Sequence, residues 1–336
     1  MADPSPILEL IEAFRRSKTM FTAVSLGLFD RLEAGGGTAA ELAAELQLDE
    51  NALIRLLNGC VGLGLMTKVG GQYCNTDAAS AFLRRESPDT LAGYILYSDK
   101  VLFPLWNQLD MAVKEGSNRW QSVFGGQGSI FDHFFRTAEA RRDFLSGMHG
   151  LGRLSSPEIV RVFNLSRFRD LVDLGGGTGH LAIAACERYG NLRGIVFDLP
   201  VVVEHARAQI AESRAAGRLG VEAGDFFTDP LPPADLYAVG RILHDWKEDK
   251  IRALLGKIHA ALPVGGAVLV AECVLDEDGG GPVAAQMQSL NMLVCTEGRE
   301  RTESEYRALL EGAGFTGVEC RRTGAPLDAV LAFRKE

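Results

Sequence analysis

The sequence predicts an α/β protein in two parts, a helical region up to about residue 160 and then a doubly wound, mostly parallel sheet layered with helices. Three observations predict it. From about Arg167, short β-rich runs alternate with helical stretches over about 165 residues. The first of those runs passes straight into Gly175-x-Gly177-x-Gly179 and a helix. Between Thr38 and Ala79, two short helices are followed by a strand, turn and strand, the order of a winged helix.

Residues 5–33 place apolar side chains at helical spacing (Ile7, Leu10, Ile11, Phe14, Phe21, Val24, Leu28), and "EAGGG" ends the pattern. Thr38 and Asp49 are expected to cap the two short helices, because a side-chain oxygen there can accept an otherwise unpaired N–H. A "VGGQY" turn then joins strands near Leu65–Val69 and Tyr73–Thr76. Residues 80–165 read as further helices with aromatic-rich stretches, "LAGYILYSDKVLFPLW" and "SIFDHFFRTAEARRDFLSGMHGLG". Such stripes serve either as plain core or as the lining of a pocket for a flat apolar ligand. The strands of the second part are "DLVDLG", "GIVFDL", "GVEAGD", "DLYAVGRIL", "GAVLVAEC", "GVECRR" and "AVLAFR". In a sheet of this kind, ligands bind at the carboxyl ends of the strands.

Composition excludes several classes. The 336 residues suit two domains, with 46% hydrophobic residues for a sizeable core. A net charge of -9 repels polyphosphate and anionic lipid. The winged-helix-like stretch itself holds five acids (Glu41, Glu45, Asp49, Glu50, Asp77) against two bases (Arg55, Lys68), so a scaffold or dimerisation role is expected there and no nucleic acid partner. The six cysteines form no CxxC pair, which signals neither zinc nor a disulfide framework. With no signal-peptide core and no long apolar span, the expected location is cytoplasmic, away from membranes.

The glycine turn "LVDLGGGTGHLA" lets the backbone approach a ligand and leads to a helix N-terminus with free N–H groups. Dinucleotide sites use a similar turn. Three details favour S-adenosylmethionine over NAD: His180 stands where a G-x-G-x-x-G pattern needs a small residue, and Asp173 would repel a pyrophosphate but attract an ammonium. The third is "GDFF", which offers Asp225 to an adenine amino group and Phe226 to the adenine face. Asp198 in "VFDLP" lies 23 positions after Gly175, where an acid can accept both ribose hydroxyls, although it could also cap the helix at Pro200.

The candidate reacting centre is "GRILHDW", with His244 just after the fourth strand, on the rim a cofactor must occupy. A phenol titrates near 10 and an imidazole near 6.5, so the imidazole can take the proton as the oxygen attacks. Glu272 in "VLVAEC" and Glu300 in "EGRERT" are candidates to orient it. On its neighbours alone, Arg299 and Arg301, Glu300 reads as a surface charge.

These residues resemble the plant-type small-molecule O-methyltransferases, in the branch of acetylserotonin O-methyltransferase and its relatives. The resemblance is carried by "FNLSRF", "DLGGGTG", "VFDLP", "GDFFTDPLP", "RILHDW", "VLDED", "QSLNMLVCTEGRERT" and "DAVLAFRK". It implies S-adenosylmethionine as cofactor with no metal, His244 as general base and Glu272 and Glu300 as flanking acids. It implies that Asp198, Asp225, Phe226 and Arg241 contact the cofactor, and that Asn291, Met292, Tyr97, Phe144 and Met148 face a small aromatic acceptor. It also implies a homodimer formed through the N-terminal helices. Gly152 is a departure, since the family often has an aromatic residue near that position. The expected domains are 1–92 (winged-helix-like, dimerisation), 93–160 (helical pocket linker) and 161–336 (Rossmann-like methyltransferase). Alternatives are an N- or C-methyltransferase, a cofactor-binding winged-helix regulator, and an NAD enzyme, the last disfavoured by His180 and Asp173.

Overall fold

The computed structural model describes residues 2–126, 130–134 and 137–335, and the backbone forms two compact units divided between Phe103 and Pro104. The first unit opens with α1 (Ser5–Ser25), whose far end buries Ala23 and Val24. Its first turns expose Ile7, Leu8, Leu10, Ile11 and Phe14 by more than half. After α2 (Leu28–Leu32) and β1 (Gly37–Thr38), Thr38 caps α3 (Ala39–Leu46) in a reciprocal box: its hydroxyl accepts the Glu41 N–H at 3.2 Å, and the Glu41 carboxylate accepts the Thr38 N–H at 2.8 Å. Asp49 caps α4 (Glu50–Gly62) by accepting the Ala52 N–H at 2.7 Å. Both caps stand where the sequence placed them. The hairpin β2 (Met66–Val69) and β3 (Gln72–Asn75) follows, with β1 pairing antiparallel to β3. The unit ends with α5 (Asp77–Phe82), α6 (Ala92–Tyr97) and an unforeseen π-helical stretch, Ser98–Leu102. Leu28, Phe29, Leu57 and Tyr73 centre its core.

In the second unit, α7 (Phe103–Trp106, beginning at the division), α8 (Leu109–Glu115), α9 (Trp120–Phe124) and α10 (Ile130–Phe134) lead to the long α11 (Ala138–Val162). The alternating part then runs β4 (Asp170–Leu174), α12 (His180–Arg188), β5 (Arg193–Asp198), α13 (Pro200–Glu212), β6 (Leu219–Ala223), β7 (Leu236–Gly240), α14 (Glu248–Ala261) and β8 (Ala267–Glu272). It closes with β9 (Val274–Leu275), α15 (Val283–Cys295), β10 (Arg301–Thr302), α16 (Glu303–Gly312), β11 (Thr316–Arg321) and β12 (Asp328–Phe333).

Among the described residues the main sheet has the order β11-β12-β8-β7-β4-β5-β6, parallel from β8 to β6 and antiparallel at β12 and β11. Each strand expected from the sequence is present. The strand residues alternate between two cores: Leu171, Leu236, Leu269 and Leu331 face one layer, while Val172, Tyr237, Val268, Val270 and Val330 face the other. Burial on both faces explains why these strands read as nearly continuous apolar runs. Strand order reverses between β4 and β7, and that switch point opens the crevice in which doubly wound sheets bind ligands. No described helix is long and apolar enough to cross a membrane.

Candidate functional site

The carboxyl ends of β4, β5 and β7 bring the glycine turn, Asp198 and Arg241 together. Gly175 sits at φ +63°, and a Cβ there would meet Ile242 Cδ1 at 2.5 Å and Phe226 Cε1 at 3.2 Å. Only glycine lets the chain turn this close to the Phe226 ring. Gly177 (φ 58°) and Gly179 (φ 79°) complete the turn into α12. Beneath it, Asp173 is 1% exposed; Oδ2 accepts the Ala182 N–H at 3.2 Å, and Oδ1 has no hydrogen-bond partner. Burial lifts its carboxyl to about 7.

Asp198 Oδ2 accepts the Gly177 N–H at 2.8 Å and Oδ1 accepts the Leu199 N–H at 2.7 Å. The cap of α13 is Leu199, with no side-chain cap bond, so the alternative reading of Asp198 as a helix cap does not hold. The carboxylate instead ties the end of β5 to the glycine turn, and burial raises its pKa to about 6. Each of its oxygens keeps a lone pair for a hydroxyl donor. Asp225 Oδ1 accepts the Phe227 N–H at 2.8 Å. Phe226 is held by its own carbonyl, which accepts from Lys257 Nζ at 2.8 Å. Arg241 adopts φ 56°, rare for a side chain of this size, and its buried Nε has no hydrogen-bond partner. A backbone held out of its preferred region at a strand end is a feature of functional sites. An orphaned Asp173 oxygen, open lone pairs on Asp198 and an Arg241 cation fit a ligand carrying an ammonium, a diol and a carboxylate, as S-adenosylmethionine does.

His244 occupies the one-turn helix Leu243–Asp245 and is 3% exposed. Its Nδ1 donates to Glu300 Oε1 at 2.6 Å. Glu272 Oε2 lies 3.0 Å from the same nitrogen without completing a hydrogen bond. Glu272 Oε1 meanwhile accepts the N–H groups of Ile242 at 2.9 Å and Leu243 at 2.8 Å. Glu272 therefore fixes the turn while Glu300 fixes the ring. With Glu300 ionised it can only accept, so Nδ1 carries the hydrogen and Nε2 is left with its lone pair, 3.9 Å from Asp245 Oδ1. Burial pushes the Glu272, Glu300 and Asp245 carboxyls upward while the His244 ring draws Glu272 and Asp245 back down, so ring and acids share protons as one coupled cluster.

Glu300 is 0% exposed, which overturns its reading as a surface charge. Pairing of β10 with β9 carries the segment into the interior. His244, Glu272 and Glu300 also bring one nitrogen and two oxygens within 4.8 Å of one another, a grouping that could hold a cation. The 2.6 Å between Nδ1 and Oε1 is a hydrogen-bond contact, whereas donors sharing a zinc at about 2.0–2.1 Å stand about 3.3 Å apart. The donor set fits a proton better than a metal.

Asn291 and Met292 are buried on α15, which packs against the His244 turn. Asn291 Oδ1 accepts Trp106 Nε1–H at 2.9 Å. Phe144 on α11 stacks on Phe134 with centroids 4.3 Å apart. Met148 lies half-buried one turn farther along α11. Tyr97 is buried on α6, in the other compact unit. Phe227 and Phe131 flank Trp246 at 5.1 and 5.8 Å, an aromatic cluster that sequence reasoning missed although "HDW" held its signal. At Gly152 a Cβ would enter the His180 imidazole, whose Nδ1 contacts Ser156 Oγ at 2.8 Å. His180 thus fills the space beside the small residue. Burial holds it near 3 and its neighbour His149 near 4, so both rings are neutral.

Two family models match the chain. The O-methyltransferase domain covers residues 106–316 and the O-methyltransferase dimerisation domain covers 8–85. Acetylserotonin O-methyltransferase of Bos taurus is 41% identical over 335 residues, spanning 98% of this chain and 97% of that protein. The Gallus gallus enzyme of the same name is 39% identical, spanning 98% and 96%. The crystal structure of human N-acetylserotonin methyltransferase in complex with SAM superposes with a TM-score of 0.94 at 35% identity, covering 100% of this chain and 99% of that one. Glycine turn, strand-end acids and buried histidine thus stand in a scaffold shared along its whole length, and the chain belongs to the O-methyltransferase family.

Proposed function

We propose that the chain methylates a phenolic or hydroxyindole oxygen of a small aromatic molecule, using S-adenosylmethionine. The observation that carries the reading is the buried His244–Glu300 pair at 2.6 Å, with Nε2 free to accept a proton beside the crevice that Asp198 and Arg241 line. When bound, S-adenosylmethionine supplies an electrophilic methyl on a positively charged sulfur. Asp198 takes the ribose hydroxyls, Asp225 the adenine amino group and Phe226 the adenine face. Asp173 beneath the turn draws the ammonium, and Arg241 draws the methionyl carboxylate. Asn291, Met292, Phe144 and Met148 enclose the acceptor ring. His244 Nε2 receives the hydroxyl proton while Nδ1–H stays on Glu300, so the imidazolium formed meets two carboxylates. A base on the acceptor and a charged electrophile leave no task for a metal. Much of the catalysis comes from holding the reactants about 3–3.5 Å apart and aligned.

The same reading makes the chain a cytoplasmic homodimer. The order α3, α4, β2, β3 supports a winged-helix scaffold, and the exposed apolar face of α1 supports a dimer contact. Its parts are the dimerisation domain at 1–92, the pocket linker at 93–160 and the methyltransferase domain from 161. The test is a screen of phenols, hydroxyindoles and matched amines with methyl-labelled cofactor. Label on hydroxyl oxygen supports the proposal, and label on the amines alone refutes it.

A further inference from the structure

We infer that the segment Glu297–Arg301 is a brace that presents the base, with Gly298 and Arg301 as positioning residues for methyl transfer. This rests on the reading of His244 as base. The segment lies directly along the back of the turn that carries His244. A Cβ on Gly298 would collide with the His244 carbonyl oxygen and approach Asp245 C and Trp246 N to 2.7 Å, so only glycine admits this contact. The Glu297 N–H donates to the Asp245 carbonyl at 3.3 Å.

Arg301 is 2% exposed and forms no ion pair within 4 Å among the described residues. Its guanidinium is spent on carbonyls: Nη1 donates to Leu243 O at 3.3 Å and Arg299 O at 3.0 Å, and Nη2 donates to Trp246 O at 3.5 Å. A buried arginine gives up its hydration, and a fork reaching both ends of one short turn gives that charge a positional use. Glu272 holds the amides of the turn, Arg301 its carbonyls, and Glu300, the neighbour of Arg301 in sequence, holds the ring. The backbone and the imidazole are therefore fixed by separate contacts, and the ring's aim at the acceptor depends on both. Glu272, Glu300 and Asp245 face the ring, and beside those acids stand Arg241 after β7, Cys273 after β8, Arg301 from the brace and Tyr306 from α16.

The test compares full-length Gly298→Ala, Arg301→Met, Arg301→Lys and His244→Ala with wild type, using one accepted phenol at saturating cofactor. Gly298→Ala and Arg301→Met should lower kcat roughly 10–100-fold at pH 7, as displacement of a catalytic group does. S-adenosylhomocysteine affinity should change less than about threefold, and the deficit should shrink toward the phenol's own pKa, as it does for His244→Ala. Arg301→Lys keeps the charge but cannot span the turn, so it should recover little of the loss; it also carries the test if the other variants fail to fold. Normal turnover in the brace variants beside a large loss in His244→Ala overturns the brace alone. A loss that persists at high pH, or that comes with weakened cofactor binding, also overturns it. Normal turnover in His244→Ala overturns the underlying base reading.

Discussion

Replacing Asp198 by Ala removes the one carboxylate that joins the end of β5 to the glycine turn. Its oxygens accept two main-chain N–H groups at 2.7 and 2.8 Å, and its remaining lone pairs face the crevice. A hydrogen bond to a charged acceptor is worth about 1.5–3 kcal/mol. Losing the ribose contacts alone should weaken S-adenosylhomocysteine binding by that amount, about 10- to 150-fold in Kd. The freed Gly177 N–H can turn to water, so the main cost falls on the ligand rather than on the fold. Asp198→Asn keeps one acceptor oxygen and should fall between wild type and Ala. Calorimetric titration with S-adenosylhomocysteine reads the effect, with NAD as a control that should show no binding. Unchanged affinity in a folded Asp198→Ala variant would refute the assignment, and so would NAD competing for the site.

Other expectations are open to direct measurement. Light scattering of the intact protein should give a dimer, because Ile7, Leu10, Ile11 and Phe14 on α1 are more than half exposed in the single chain; a clean monomer at micromolar concentration contradicts this. Burial lifts Asp173 from 3.8 to about 7, so the folded state prefers the neutral acid; that stability is full below about pH 4 and is lost as pH rises through 7. The unliganded protein should therefore lose thermal stability between about pH 4 and 7, and Asp173→Asn should lessen the loss. An equal slope in the variant would show that Asp173 does not contribute.

Local chemistry made much of the scaffold legible. The caps Thr38 and Asp49, the strands β4 to β8 and the strand-end placement of Asp198 and His244 all follow from short-range patterns of burial and hydrogen bonding. Glu300 was not legible from its neighbours, because two arginines beside it mimic a solvated stretch. Its burial depends on β10 pairing with β9, a contact that no local pattern announces. Trp106 meets Asn291 across 185 positions, and the left-handed backbone of Arg241 is equally invisible in a one-dimensional reading. Nothing in the neighbouring sequence marks Gly298. The reason it must be glycine is the backbone of residues 244–246 pressed against it.

In the proposed mechanism His244 removes the acceptor's proton through Nε2 while Glu300 holds Nδ1–H. The pH–rate profile of wild type and His244→Ala, with one accepted phenol at saturating S-adenosylmethionine, tests it most directly. Turnover of the variant should fall roughly 10²–10⁴-fold at neutral pH, with little change in cofactor affinity and partial recovery as the pH nears the phenol's own pKa. Near-normal turnover of the variant at pH 7 would contradict it.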